Sequence, residues 1–259
     1  MIAQGFQFVS DLHLEFPENR EWLKKNPIPA IKPLLWLGGD IVPFAQMHQV
    51  PWFWEDISRK FEAVYWLPGN HEYYYGNAAE ALGPRLEELF PRVFLVNQAS
   101  FSSHGVHFIA ATLWSSISPH NKRKVESRLS DFKLIRYGKN AFQVEQMHAL
   151  HQSDSHFLLK EGAQRSAQPR IYLSHHAPLP SLLPTSTASG PMQQALCADL
   201  GNLLATFNPG LWLYGHTHIP MPKTSHQNLQ FFHNQLGYLR HGQGQGFDLK
   251  LSFSPESLL

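Results

Sequence analysis

One cysteine, Cys197, is present among the 259 residues. That excludes an internal disulfide and suits a reducing compartment. The thiol reads best as a small buried apolar residue. An excess of either charge is also missing: 21 Lys and Arg stand against 20 Asp and Glu, a formal net charge of +1. So weak a field gives no long-range steering toward nucleic acid or an anionic membrane, and it argues against long nucleic acid as a substrate. No apolar run approaches the roughly 18 to 20 residues that a membrane span needs. The first apolar run is too short for a secretory signal, lacks a basic start and meets Asp11 almost at once. A cytoplasmic protein is therefore expected. Internal repeats and low-complexity tracts are lacking as well. With 43% hydrophobic and 16% charged residues, the chain leaves no room for wholesale disorder. One domain over residues 1–259 is expected, because folds of this length are commonly undivided.

What is present is a series of apolar runs that end in metal-ligating residue types. Gly5 to Ser10 reads as a buried strand whose end carries Asp11 and His13. Pro33 to Leu37 is a second strand, stopped at Gly38-Gly39-Asp40, where glycine lets the backbone turn beside the carboxylate. Ala63 to Leu67 is a third, closed by Pro68-Gly69-Asn70-His71-Glu72. Arg170 to Ser174 ends in His175-His176, and Leu211 to Tyr214 ends in Gly215-His216-Thr217-His218. If that last segment is extended, His216 and His218 point the same way.

Between these runs, Glu18 to Pro33 holds Pro27, Pro29 and Pro33 and reads as a loop, with room for one helical turn around Trp22 to Lys25. Helices are expected over about Trp52 to Phe61, Asn77 to Phe90, Val144 to Glu161 and Gln193 to Phe207. Val93 to Val96, Ala99 to Phe101 and Val106 to Leu113 read as a hairpin system rather than a parallel unit. Ala177 to Pro191 reads as a long irregular loop near whatever the histidines bind. Asn228 to His233 and Phe247 to Phe253 complete the strands. Ser115 to Lys139 carries seven basic residues against Glu126 and Asp131 alone. It is either a solvated surface or a rim that attracts an anionic substrate.

Strands alternating with helices imply a largely parallel α/β sheet, made mixed by the hairpins. Ligands gather outside the carboxyl ends of such strands. Five ends supply more ligands than one tetrahedral ion accepts, so two ions are the economical reading. The donor set is nitrogen and oxygen with no thiolate, which fits manganese, iron, zinc or nickel.

Taken together and in this order, Asp11-Leu12-His13, Gly39-Asp40, Gly69-Asn70-His71-Glu72, His175-His176 and Gly215-His216-Thr217-His218 closely resemble the signature of the calcineurin-like metallophosphoesterase superfamily. The likeness extends to small bacterial phosphoesterases of that superfamily through Ser10 to Glu15, Pro68 to Tyr74, Ala111 to Trp114 and Asp131-Phe132, and more loosely through Asn234 to Tyr238; the resemblance implies that the last three stretches shape the pocket. The resemblance implies a four-layer α/β/β/α sandwich with two mixed sheets and a dinuclear site at its edge. Carried over position by position, Asp11, His13 and His218 would hold one ion, and Asn70, His175 and His216 the other, with Asp40 bridging. His176 would be left to line the pocket. The implied reaction is hydrolysis of a phosphomonoester or phosphodiester in a small phosphorylated substrate. A metal-bridging hydroxide would attack phosphorus, and His71 would protonate the leaving oxygen. In some branches of the superfamily a second Asp, three residues beyond the bridging one, orients that histidine. Here the position is Pro43, which argues against the protein-phosphatase branch and leaves the partner of His71 open. A nuclease, a non-catalytic scaffold that keeps the sandwich, and a hydrolase of non-phosphate esters are the competing readings.

Overall fold

Runs such as Leu34–Gly38, apolar at every position, belong to strands covered on both faces. The computed structural model describes residues 4–184 and 190–258. In chain order the elements are β1 (Phe6–Val9), α1 (Pro17–Lys25), β2 (Leu34–Gly38), α2 (Pro51–Lys60), β3 (Ala63–Leu67), α3 (Ala78–Ala81), β4 (Arg85–Phe90), β5 (Val93–Asn97), β6 (Ala99–Ser103) and β7 (Val106–Ala110). They continue with α4 (Lys122–Arg128), α5 (Asp131–Leu134), β8 (Arg136–Tyr137), β9 (Asn140–Ala141), α6 (Val144–Gly162), β10 (Arg170–Leu173), α7 (Gln193–Leu196), β11 (Gly210–Tyr214), β12 (Thr224–His226), β13 (Leu229–His233) and β14 (Ser252–Phe253).

Two six-stranded sheets form, in the orders β14-β1-β2-β3-β5-β4 and β12-β13-β11-β10-β7-β6. In each, four parallel strands lie between antiparallel edge strands. The two-residue period of a strand sorts the side chains into layers. Phe6, Phe8 and Trp36 of the first sheet pack against Phe108, Ile171, Leu173 and Leu213 of the second, and this cluster is the shared core. The alternate residues Val9, Leu35, Leu37 and Trp66 face Phe53, Trp54 and Ile57 of α2. On the far side Ile109, Tyr172 and Trp212 are covered by Leu158 of α6 and by Leu204 and Phe207. The result is the expected α/β/β/α sandwich. Among the described residues no helix is long and apolar enough to cross a membrane.

Several boundaries differ from expectation. Residues 17–25 form a full helix, because Pro17 sits at its first turn, where a fixed φ is an advantage, and the three prolines fall beyond its end. The helical period of Asn77 to Phe90 is misleading. Gly83, at φ +104°, and Pro84 break it, and residues 85–90 become an edge strand on which Leu86 is 57% exposed. β6 and β7 do form a hairpin, but β5 joins β3 in parallel in the other sheet. Gln98, at φ 45°, turns the chain across. The expected helix Gln193 to Phe207 stops at Leu196, where extended Cys197 bridges to Ala177. It resumes only as a 3-10 turn over Gly201–Thr206. Of Phe247 to Phe253 only Ser252–Phe253 pairs as a strand. The irregular loop expected over Ala177 to Pro191 lies partly outside the described residues, but Pro180–Leu182 within it forms one 3-10 turn.

Candidate dinuclear metal centre

β1, β2 and β3 are parallel neighbours in one sheet, and β10 and β11 are parallel neighbours in the other. Their carboxyl ends therefore meet at one edge of the sandwich, and the five motifs arrive there together. Backbone bonds lash the ends to one another: Asp11 N–H to Gly39 O and His13 N–H to Asp40 O, both at 2.9 Å, and Gly215 N–H to His175 O, also at 2.9 Å. Other bonds cross between the sheets, among them His175 Nδ1 to Gly38 O at 3.0 Å and His216 N–H to Asp11 Oδ1 at 2.9 Å.

The segment carrying His216 and His218 is a turn and not an extended strand. His216 has φ 73° and His218 φ 54°, and Asp11 (57°), His13 (47°) and Asp40 (54°) are left-handed too. Such conformations cost of order 1–3 kcal/mol each for a non-glycine residue and gather at functional sites. They also separate the two imidazoles, so that His218 and His216 join different groups. Asp11, His13, Asp40 and His218 can place four ligand atoms within 4.8 Å of one another, and so can Asp40, His175 and His216 with three. Asp40 belongs to both groups. His175 Nε2 lies 3.3 Å from Asp40 Oδ1 and 3.2 Å from Asn70 Oδ1. His176, its neighbour, instead buries its ring against His216 and Trp114.

Three histidines share one device. Nδ1–H of His13 donates to Glu15 Oε1 at 3.0 Å, that of His175 to Gly38 O at 3.0 Å, and that of His218 to Gln243 Oε1 at 3.1 Å. Each is thereby left with an Nε2 lone pair turned inward, as metal-ligating imidazoles are. The Nε2 atoms of His13 and His218 face each other at 2.9 Å, an arrangement that repels unless a proton or cation lies between. Asp11 Oδ2 and His216 Nε2 are buried with no hydrogen-bond partner among the described residues. This donor set fits a pair of borderline transition-metal ions and leaves their identity open.

Asp40 and Glu15 are held ionised against the cost of burial. Burial pushes Asp40 up, but His175 and His71 beside it pull it well below the usual carboxylate range. Burial raises Glu15 too, and His13 and His71 outweigh it to hold Glu15 at about 2. For His71, burial favours the neutral ring, while Asp40 and Glu15 together raise its pKa to about 9.

Several residues of the site stand in stretches that the resemblance marked, but without an individual role. Glu72, 0% exposed, accepts from the backbone N–H groups of Asp40, Ile41 and Gly69 and from Trp66 Nε1. Burial and the Asp40 charge push its pKa up to about 7, against those donors. Asp131, from the basic segment, accepts from Asn70 Nδ2 at 2.8 Å and from Tyr74 Oη at 2.7 Å. That turns the Asn70 carbonyl toward His175. Tyr238 places its hydroxyl 3.1 Å from His71 Nε2. Glu15, the third member of the alternation Asp11, His13, Glu15, and Glu72, the last of Gly69-Asn70-His71-Glu72, had the clearest local signals.

The glycines of the motifs clear space for this packing. A Cβ on Gly69 would lie 2.3 Å from Asp40 Oδ1 and 2.7 Å from His175 Nε2. Gly69→Ala is therefore expected to weaken metal binding roughly 10–100-fold, as loss of a supporting contact does, while the protein stays folded. Metal titration alongside circular dichroism checks this, and unchanged affinity would show that the loop can give way.

The calcineurin-like phosphoesterase family model matches residues 6–220. The chain belongs to that family. As a metallophosphoesterase it is a hydrolase of phosphoric esters, and the matched segment includes all five strand ends just described. This phosphoesterase is 30% identical over 261 residues, covering 90% of each chain, to the uncharacterized protein L509 of Acanthamoeba polyphaga mimivirus. Its fold is similar to that of the phosphopantetheinyl hydrolase of Mycobacterium tuberculosis, with a TM-score of 0.64 at 16% identity, covering 92% of this chain and 91% of that one.

Proposed function

We propose that this phosphoesterase is a dinuclear enzyme acting on a small phosphorylated substrate. Asp11, His13 and His218 hold one ion, Asn70, His175 and His216 the other, Asp40 serves both, and His71 donates the proton to the leaving oxygen. The observation that carries the reading is the pair of buried donor groups that share Asp40. Two bound cations would supply Lewis acidity, lowering the pKa of water between them and neutralising charge on the phosphoryl oxygens.

The remaining work belongs to side chains. Asp131 fixes the Asn70 amide, and Glu15, Gly38 and Gln243 fix the heading of three imidazoles. His71 N–H donates to Asp40 Oδ1 at 2.9 Å, so the proton donor is tied to the residue shared by both groups. Its Nε2 lies on the side of Tyr238, where a leaving oxygen can arrive. Phosphoryl transfer asks for little more than such positioning and charge neutralisation.

The test is elemental analysis of purified protein together with hydrolysis of p-nitrophenyl phosphate and bis-p-nitrophenyl phosphate after manganese is added. About two ions per chain with turnover of either ester is expected, and the preferred ester separates monoesterase from diesterase. Protein that takes up no metal sinks the reading. His71→Ala should keep its metal and lose roughly 10²–10⁴-fold on esters with poor leaving groups. Full turnover of such an ester would remove His71 from the role.

A further inference from the structure

We propose that Glu15 is the positioning residue of His71, holding its ring by Nδ1 so that Nε2 faces the leaving oxygen. The proposal rests on the reading of His71 as proton donor. The turn after β2 offers no carboxylate where Pro43 stands, and the acid comes instead from the loop after β1.

Glu15 Oε1 lies 2.8 Å from His71 Nδ1. The Glu15 side chain is 7% exposed, so the bond forms out of bulk water and competes with little solvent. Tyr74 stacks on the imidazole of His71 with ring centres 4.1 Å apart, and the His13 ring meets it edge-on at 4.6 Å. These contacts fix the plane of the ring but not its direction, because a flip about the terminal torsion exchanges Nδ1 and Nε2 within nearly the same outline. Only a polar partner decides which nitrogen points outward. Glu15 is an acceptor that Nδ1–H can reach, and Nε2 is then turned to the Tyr238 hydroxyl. In the reaction the bond from phosphorus to the leaving oxygen breaks with its electron pair on that oxygen, which takes the proton from Nε2. The other proton stays on Nδ1, still donated to Glu15 Oε1, and a neutral imidazole remains to be reprotonated from solvent.

The same Oε1 also accepts from His13 Nδ1 at 3.0 Å, so the experiment must separate an effect through His71 from one through His13. The variants are Glu15→Gln, which keeps the shape of the side chain, His71→Ala, and the two combined. Each is assayed on p-nitrophenyl phosphate and on phenyl phosphate, whose leaving group is the poorer, with metal content measured in parallel. The ratio of the two rates within one preparation does not depend on how much of it is folded. Glu15→Gln is expected to retain its metal, to fall roughly 10–100-fold on phenyl phosphate and much less on p-nitrophenyl phosphate, and to cost nothing further once His71 is alanine. Equal losses on both esters, or the same loss in the His71→Ala background, overturn the proposal and place Glu15 with His13. A His71→Ala enzyme that treats the two esters alike overturns the proton-donor reading, and the proposal with it.

Discussion

Asp40→Ala is expected to abolish metal binding and turnover together, with a fall of at least about a thousandfold in kcat/KM, corresponding to the several kcal/mol that metal ions contribute to transition-state charge. Asp40 is the one residue common to both donor groups, so both lose a carboxylate at once. Its Oδ1 also accepts from His71 N–H, and its charge raises the pKa values of His71 and His175. Alanine therefore leaves Asp11 beside His218 and Glu15 beside His13 and His71, but removes the carboxylate nearest His175. Asp40→Asn keeps the hydrogen bond and the volume, and isolates the charge. Elemental analysis and hydrolysis of p-nitrophenyl phosphate and bis-p-nitrophenyl phosphate check both variants. Two ions retained in Asp40→Ala would show that the two donor groups are independent sites.

Glu72→Ala should produce the largest loss of stability among the residues of this edge. It removes the acceptor of four buried donors at once, the N–H groups of Asp40, Ile41 and Gly69 and the indole of Trp66. An unsatisfied buried donor costs about 1–3 kcal/mol, so a net loss of at least about 3 kcal/mol is expected after local relaxation. At this chain length that lowers Tm by roughly 6–12 °C. Glu72→Gln should fall between the two proteins, because one amide oxygen can still accept while the amide nitrogen meets a donor. Thermal unfolding of metal-free protein is the measurement. A drop under about 1 kcal/mol would mean that water replaces the carboxylate and that the loops after β2 and β3 are held by other contacts.

The boundaries that were misread share a cause. Ala81, Leu82, Leu86 and Leu89 follow a helical period, yet residues 85–90 pair with β5. The edge position lets Leu86 stand in solvent, and Gly83-Pro84 ends the helix locally. Cys197 is extended because Ala177, 20 positions earlier in the chain, lies beside it. In both cases a pairing partner outweighed local propensity, the next strand for residues 85–90 and a residue 20 positions back for Cys197.

Apolar runs ending in Asp, Asn and His were enough to read a largely parallel sheet with metal-ligating residue types at its strand ends, and the resemblance of those motifs to a known family implied the sandwich and the site at its edge. The reason is that a strand's covered faces and its chemical terminus are both written locally. Glu15, Glu72, Asp131 and Tyr238 lie in stretches that the resemblance marked, but their roles were not readable in the same way. Each acts on a residue that the fold brings near: Glu15 and Tyr238 on His71, Glu72 on the turn of Asp40, and Asp131 on Asn70. A buried acid carries no mark of its partner in the chain, so its role is decided only when packing removes water and leaves it one set of donors. The resemblance had already put His216 and His218 on different ions, but the physical cause of their separation has the same origin. Two residues apart, they reach different donor groups because the tertiary structure holds both in left-handed backbone, a conformation that a non-glycine residue rarely adopts without such support.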